Sequence, residues 1–374
     1  MFLSRRSFLK KGWVWFGRIL IMGLFGFFLP RKRAGAERTL REAPAGLDGL
    51  TLKMWCDKKM HHRDGYFLNP FTSMEHKNVW RLLRWKLASE NTFKPYYPEE
   101  AVTPTEMNWD PVIAHQGVAV TFINHACVMI KDVDRYILVD PVLSGLFWFK
   151  DFSPLTGGTG CRMPDPDHIL ITHGHYDHLD VRTLKRFKKT THVISPPGYR
   201  RIFSRLAMNR HTELDWFESW NDGRREIVFL PCNHWTMRNP LTGPNDALWG
   251  SYLIKGAGGI TIFISGDLAW FDHFAEIRQV GDIDLAIFNL GAYEPRWFMK
   301  ESHINPVETV RAFRELRARH LMVVHWGTFR LGDEPVHFPP RDIFSEMEKQ
   351  GLSDRLMRLN HGQTLFYGNN IRIP

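Results

Sequence analysis

Cysteine is scarce in this chain: four residues in 374, at positions 56, 127, 161 and 232. So few, so far apart, exclude a small scaffold stapled by disulfides. No internal repeat or low-complexity segment is present, and 44% hydrophobic with 24% charged residues excludes global disorder and collagen-like structure. The length allows one large or two ordinary domains, at about 100–200 residues each, with a sizeable core. Acidic residues are missing altogether from residues 1–36, where eight basic ones stand (Arg5, Arg6, Lys10, Lys11, Arg18, Arg31, Lys32, Arg33). Aromatic residues, by contrast, are plentiful. The 14 Trp and 27 Phe are more than a soluble core usually needs and point to an apolar ligand or surface.

The basic residues decide what the net charge of +9 means. Ser4-Arg5-Arg6-Ser7-Phe8-Leu9-Lys10 resembles a twin-arginine export motif, an address for proteins moved after folding. An apolar stretch from Trp13 to Leu29 follows, interrupted by Arg18, and Ala34-Gly35-Ala36 offers a small-residue cleavage site. Seventeen residues with one Arg also lie at the short edge of a spanning helix. The expectation is an exported bacterial protein, periplasmic or anchored to the inner membrane by an uncleaved segment. Setting residues 1–36 aside removes eight positive charges and no negative ones, so +9 falls to +1. The basic balance therefore does not argue for nucleic acid.

Residues 37–110 are irregular, with Trp55, Phe67, Phe71, Trp80, Trp85, Tyr96 and Tyr97 scattered among charges and prolines. They read as an extension that packs onto a main domain at 111–374, with a helix near His76–Ser89. From about residue 117, short β-branched or apolar runs alternate with turns and helical stretches: 118–123, 128–130, 136–139, 168–172, 192–195, 227–230, 260–265, 285–289 and 321–325. Asn305-Pro306-Val307-Glu308 reads as a helix start, with an apolar face of Val307, Val310, Phe313 and Leu316. The pattern fits an α/β layered fold with two central sheets.

The strongest chemical signal is Thr172-His173-Gly174-His175-Tyr176-Asp177-His178-Leu179-Asp180, directly after an apolar strand. Imidazoles at i and i+2, then a carboxylate and a third imidazole, place four metal ligands in six residues, and Gly174 is expected to let the backbone turn. Asp180 is expected to cap the helix that follows. Imidazole with carboxylate suits zinc, at about 2.0–2.2 Å per ligand atom. Three further candidates each end a strand: His234, Asp267 and His325.

This order of His-x-His-x-Asp-His, then His, Asp and His resembles the metallo-β-lactamase superfamily. The resemblance implies an αββα four-layer sandwich and two zinc ions. His173, His175 and His234 would hold one, Asp177, His178 and His325 the other, and Asp267 would bridge them. Asp140, in Val139-Asp140-Pro141, would orient a ligand histidine. Seven ligands leave no place for Cys232, which reads as a packed residue.

A narrower likeness covers about residues 66–368. Gly291-Ala292-Tyr293-Glu294-Pro295-Arg296-Trp297-Phe298-Met299-Lys300, Leu248-Trp249-Gly250-Ser251, Glu213-Leu214-Asp215-Trp216, His325-Trp326-Gly327-Thr328-Phe329 and Asn360-His361-Gly362 resemble segments of the N-acylphosphatidylethanolamine-hydrolysing phospholipase D family. Asn124-His125-Ala126-Cys127 and Cys232-Asn233 depart from its pattern. The likeness implies hydrolysis of an N-acylated phospholipid to phosphatidic acid and an N-acylethanolamine. Two zincs about 3.5–4 Å apart suit that chemistry, because they activate water and neutralise charge on the phosphoryl group.

Within this frame Asp177, Asp267 and His303 are the catalytic candidates, His303 as general acid or phosphate contact. Arg296 and Tyr293 are candidate substrate contacts, Arg296 being equally readable as an ion pair with Glu294. The cluster Leu146-Phe147-Trp148-Phe149 with Phe152 is placed to meet acyl chains or a membrane surface. The competing expectations are another hydrolase of the same superfamily, such as a lactonase, and a non-catalytic lipid-binding protein of the envelope.

Overall fold

The computed structural model describes residues 49–72, 79–155, 163–239, 242–367, 371 and 373. The leader expected at 1–36, with its arginine pair and expected cleavage site, lies outside the described residues, as do the first residues of the helix expected at 76–89 and Cys161. Among the described residues no helix is long and apolar enough to cross a membrane.

Two seven-stranded sheets form the centre. The first runs, edge to edge, through 364–367, 118–124, 127–132, 135–139, 168–170, 192–195 and 211–213. The second runs through 356–357, 320–324, 285–289, 261–264, 251–255, 226–230 and 219–221. Between the sheets, Val120, Phe122, Ile130 and Ile137 of one face meet Ile227, Phe229, Tyr252 and Ile262 of the other in a single buried cluster. The first sheet's outer face carries Ile123, Met129 and Ile169 against Leu184 and Phe203 of short helices. On the second sheet's outer side, helices Pro306–Leu316 and Phe338–Lys349 bury Phe313, Leu316, Ile343 and Met347. Helix, sheet, sheet and helix make the expected four layers.

Local sequence explains the elements. Asn305 accepts from the Glu308 backbone N–H while the Glu308 side chain accepts from Asn305 N–H, a complete capping box, with Pro306 at the first helical position. Three of the expected face residues, Val310, Phe313 and Leu316, are buried, whereas Val307 is 58% exposed. In the first turn the chain is still entering from the surface, and Thr309 and Ala312 complete the buried stripe instead.

Described residues of the 37–110 stretch contact the rest of the chain at two places. Leu52, Trp55 and Cys56 join the main core, and the Leu52 N–H donates to Glu276 Oε2 at 2.7 Å. His61 and His62 set Nε2 against the two oxygens of Asp215 at 2.7 and 2.6 Å, with Trp216 stacked on His61. Further on, Val79–Leu83 is α-helical and Arg84–Ala88 widens to a π turn. Its Trp85 packs on Phe298 and donates to Asp333 Oδ2 at 2.8 Å.

Candidate metal centre

Strand direction brings the ligands together. Val118–Asn124, Arg135–Val139 and His168–Leu170 run the same way in one sheet, as do Glu226–Leu230, Thr261–Ile264 and His320–Val324 in the other. Their carboxyl ends all open on one edge of the sandwich, where His125, Asp140, the histidine loop, His234, Asp267 and His325 follow. Crossing sheets at an edge converts residues far apart in sequence into neighbours.

The histidine loop is held from outside. Asp140 Oδ1 accepts from Thr172 N at 2.8 Å, and its Oδ2 accepts from Thr172 Oγ1 at 2.6 Å and faces His178 Nδ1 at 2.8 Å. Asp140 thus touches both Thr172 and His178. His234 Nδ1 lies 3.0 Å from the Ser302 carbonyl, which turns its Nε2 inward. Asp180 caps Val181–Leu184 as expected. Gly174, however, is not in a left-handed turn; its requirement is close approach, since a Cβ there would stand 2.6 Å from Tyr199 Cε1.

Two groups of ligand atoms result, each within 4.8 Å: His173, His175, His234 and Asp267, and His125, Asp177, His178 and His325. Asp267 faces both, with Oδ2 3.9 Å from His173 Nε2, 4.0 Å from His234 Nε2 and 3.3 Å from His178 Nε2, and Oδ1 3.3 Å from His325 Nε2. Asn289 Nδ2 donates to Asp267 Oδ1 at 2.9 Å. All seven ligands named from the sequence therefore converge. The eighth, His125, was not among them. Its Nε2 lies 3.1 Å from Asp177 Oδ2, and it is wholly buried. A lone histidine in the turn between two apolar runs was the available signal.

The backbone is strained at this edge. His125, Asp140 and His325 adopt left-handed φ of 43°, 41° and 68°, a conformation that costs a residue with a side chain about 1–3 kcal/mol. The cost is met because each side chain is fixed by its partners.

Electrostatics point to cations. Burial opposes ionisation of Asp177 and Asp267, yet the neighbouring His178 and, at Asp267, His325 hold both well below the usual carboxylate range. Burial, then His178, His175 and His234, pushes His173 well down, and burial with His325 pushes His125 to about 3. These are neutral imidazoles beside ionised carboxylates, the form in which both bind metal. His178 is the exception: burial disfavours its charge, but Asp267, Asp177 and Asp140 raise it well above the ordinary value. Three carboxylates around one imidazole, Asp140 at Nδ1 and Asp177 and Asp267 at Nε2, demand positive charge there. His178 Nε2 and His325 Nε2 are buried and make no hydrogen bond, although carboxylate oxygens lie 3.3–3.6 Å away. Nitrogen and oxygen donors so spaced fit a pair of divalent metal ions. Cys232 takes no part, its Sγ facing the Asp267 carbonyl at 3.5 Å and its thiol pushed up by burial. Cys56 and Cys127 are likewise buried free thiols.

The Beta-lactamase superfamily domain matches residues 135–326, from the strand before Asp140 to just past His325. The chain is a metallo-hydrolase of the β-lactamase superfamily. It is 30% identical over 293 residues to "N-acyl-phosphatidylethanolamine-hydrolyzing phospholipase D 1" of Caenorhabditis elegans, covering 72% of this chain and 81% of that one. With the mitochondrial "N-acyl-phosphatidylethanolamine-hydrolyzing phospholipase D" of Saccharomyces cerevisiae it shares 31% identity over 257 residues, 65% of this chain but only 55% of the yeast protein. Among solved structures, an isothiocyanate hydrolase from Delia radicum gut bacteria superposes with a TM-score of 0.52 at 15% identity, over 67% of this chain and 99% of that chain. That last likeness is one of fold.

In this metallo-hydrolase a cavity descends to His175, Asp177 and Asp267, with His303 and Ser302 beside them. His303 is 17% exposed, with Nδ1 3.9 Å from Asp267 Oδ2. The remaining wall is apolar: Leu82 and Trp85 from the extension, Phe149, Phe298, Met299 and Leu331. Phe149 thus joins the site, whereas Phe147 is 47% exposed and meets Tyr176 edge-on, and Trp148 faces a neighbouring cavity.

Two of the candidate substrate contacts lie elsewhere. Arg296 is spent on structure: both oxygens of Glu308 accept from its Nη2 at 2.9 Å, and the His303 carbonyl accepts from Nη1 at 2.7 Å. Its ionic partner is Glu308, since Glu294 takes only the Arg296 backbone N–H. Tyr293 is buried with its hydroxyl on Asp342 at 2.9 Å.

Proposed function

We propose that this hydrolase is a two-zinc phosphodiesterase of the phospholipase D type. It would cleave N-acylphosphatidylethanolamine, or a related phospholipid, between phosphate and ethanolamine, giving phosphatidic acid and an N-acylethanolamine. The observation that carries the reading is the cavity: an apolar wall runs directly into the buried ligands His175, Asp177 and Asp267. An amphiphile with a reactive headgroup fits such a site. The two relatives named for hydrolysis of this lipid, at 30% and 31% identity, support the substrate class.

Two zinc ions held by these residues would supply Lewis acidity to the attacking water and to the phosphoryl oxygens. The chain does the rest. Leu82, Trp85, Phe149 and Phe298 hold the acyl chains and exclude bulk water, which strengthens every charge interaction at the bottom of the cavity. His303, at the mouth, would give a proton from its ring to the departing ethanolamine oxygen. Exposed Phe147 beside Tyr176 would rest on the lipid surface from which the substrate is drawn. The paired arginines Arg5-Arg6 before an apolar run support export to the periplasm or to the inner membrane face.

The test is to incubate purified, zinc-loaded protein with N-acylphosphatidylethanolamine and resolve the products by mass, with His175→Ala as control. Phosphatidic acid and N-acylethanolamine above the control are expected. Their absence, with two metals bound per chain, overturns the substrate assignment.

A further inference from the structure

Beside the catalytic cavity of about 120 Å³ opens a larger one of about 570 Å³, and Trp85, Phe149 and Leu331 line both. Three stretches close around it: residues 85–97 of the extension, 148–152 after Asp140, and 330–333 after His325. Its aromatic walls match those of its neighbour. Its charge does not.

Lys86, Lys94, Lys150 and Arg330 all line this second cavity. Arg330 is committed, pairing with Glu100 at 2.5 Å and lying 3.6 Å over the Tyr97 ring. The three lysines form no ion pair with any carboxylate among the described residues. Lys86 Nζ sits 3.2 Å over the Trp85 ring and Lys150 Nζ 4.1 Å over that of Phe152. Aromatic faces thus take the place that carboxylates usually fill. The acids nearby are otherwise engaged. Asp333, in the wall, accepts from Trp85 Nε1 at 2.8 Å, and Asp151 turns its Oδ1 to the Ser153 N–H at 2.9 Å. Burial pushes the Lys86 ammonium down to about 8, against the pull of Asp333. A cavity that withdraws an ammonium from water without neutralising it favours an anion that also carries apolar surface.

We infer that this cavity is a second, non-hydrolytic subsite for a phosphate head borne on an acyl chain. The phosphate would sit among Lys86, Lys94 and Lys150, which bind it as point charges. Its chain would run along Trp85, Phe149 and Leu331 toward the catalytic cavity. The inference rests on the lipid reading above for its ligand class but not on hydrolysis.

Calorimetric titration of the metal-loaded protein with dihexanoylphosphatidic acid, below its micellar concentration, tests it. Lys94→Gln/Lys150→Gln changes two exposed side chains and leaves the metal ligands alone. The variant is expected to keep two metals per chain and to lose, by about tenfold or more in affinity, one class of site that the wild type shows. Lys94→Arg/Lys150→Arg is expected to retain that site, which separates lost charge from damaged fold. Equal binding by wild type and the Gln variant overturns the subsite. Inorganic phosphate binding the lysine-dependent site as tightly as the lipid overturns the acyl-chain half, and equal binding of dihexanoylphosphatidylcholine overturns the anionic half. The titration follows binding without turnover, so a failed phospholipase assay and a failed subsite give different results.

Discussion

The imidazole of His125 lies against that of His325, ring centroids 4.0 Å apart, and the His325 backbone N–H donates to the His125 carbonyl at 2.6 Å. His125 leaves one sheet and His325 the other, so the pair joins the two halves of the sandwich at the metal edge. Replacing His125 by Ala removes an Nε2 facing Asp177 and the ring supporting His325. Bound metal is expected to fall from two ions toward one, with kcat lowered on the order of 10²-fold. Elemental analysis beside kinetics checks this. Full metal content with unchanged kcat would remove His125 from the centre.

Asp140 acts at one remove, through Thr172 and His178. Asp140→Asn keeps the shape but cannot accept at both oxygens. Metal affinity is expected to drop about 10–100-fold, measured by competition with a chelator. A variant that competes as well as wild type refutes the orienting role.

Gly174→Ala is a small change with a large expected effect. The new methyl would stand 2.6 Å from Tyr199 Cε1 and 2.8 Å from its hydroxyl, and Tyr199 is locked by a 3.0 Å hydrogen bond to the Leu248 carbonyl. The ligand loop must move instead. Activity should fall while secondary structure by circular dichroism stays intact, and Gly174→Ala/Tyr199→Phe should recover little because the ring edge remains. Wild-type activity in Gly174→Ala would show that the loop has slack.

Metal removal should cost stability as well as activity. Asp177 and Asp267 are buried and ionised, and without cations only the histidines offset them. Each ion held at 100 times its Kd adds about 2.7 kcal/mol to the folded state. Chelated protein is therefore expected to unfold at lower denaturant and to regain its midpoint on adding zinc. An unchanged midpoint would mean that the site binds no metal in the folded chain.

A pH effect follows from His361. Its buried Nε2 faces the Trp326 carbonyl at 3.0 Å, and burial pushes the ring down to about 4 from 6.5. The unfolded chain then binds the proton more readily, so the stability of the neutral ring is present above about 6.5 and is lost as pH falls toward 4. In metal-free protein, His361→Gln should flatten the fall of the denaturation midpoint across that window. Parallel curves for wild type and variant would assign the fall to other groups.

Much of this site is readable from sequence because its ligands follow apolar strands, and a strand's direction decides where its last residue points. The runs at 192–195 and 285–289 become strands with those bounds. Ser251–Lys255 is a central strand, paired on both sides, yet its polar ends and its place after Leu248-Trp249-Gly250 give it no visible period. His125 was hidden for a related reason: one histidine in a tight turn has no spacing, and only the meeting of two sheets gives it neighbours. Arg296, left open between two readings, is the opposite case. Its segment is readable, but a guanidinium serves as well to brace a loop as to bind phosphate, and here Glu308 and the His303 carbonyl fill its donors.

Leu82 and Trp85 have a consequence beyond packing. The region matching the superfamily domain begins only at residue 135, so part of the cavity wall is furnished by chain that the shared domain does not contain. The candidate metal ligands and this part of the cavity wall therefore lie on separate stretches of the chain. Substitutions at Leu82 or Trp85 can reshape the cavity while every candidate metal ligand stays where it is.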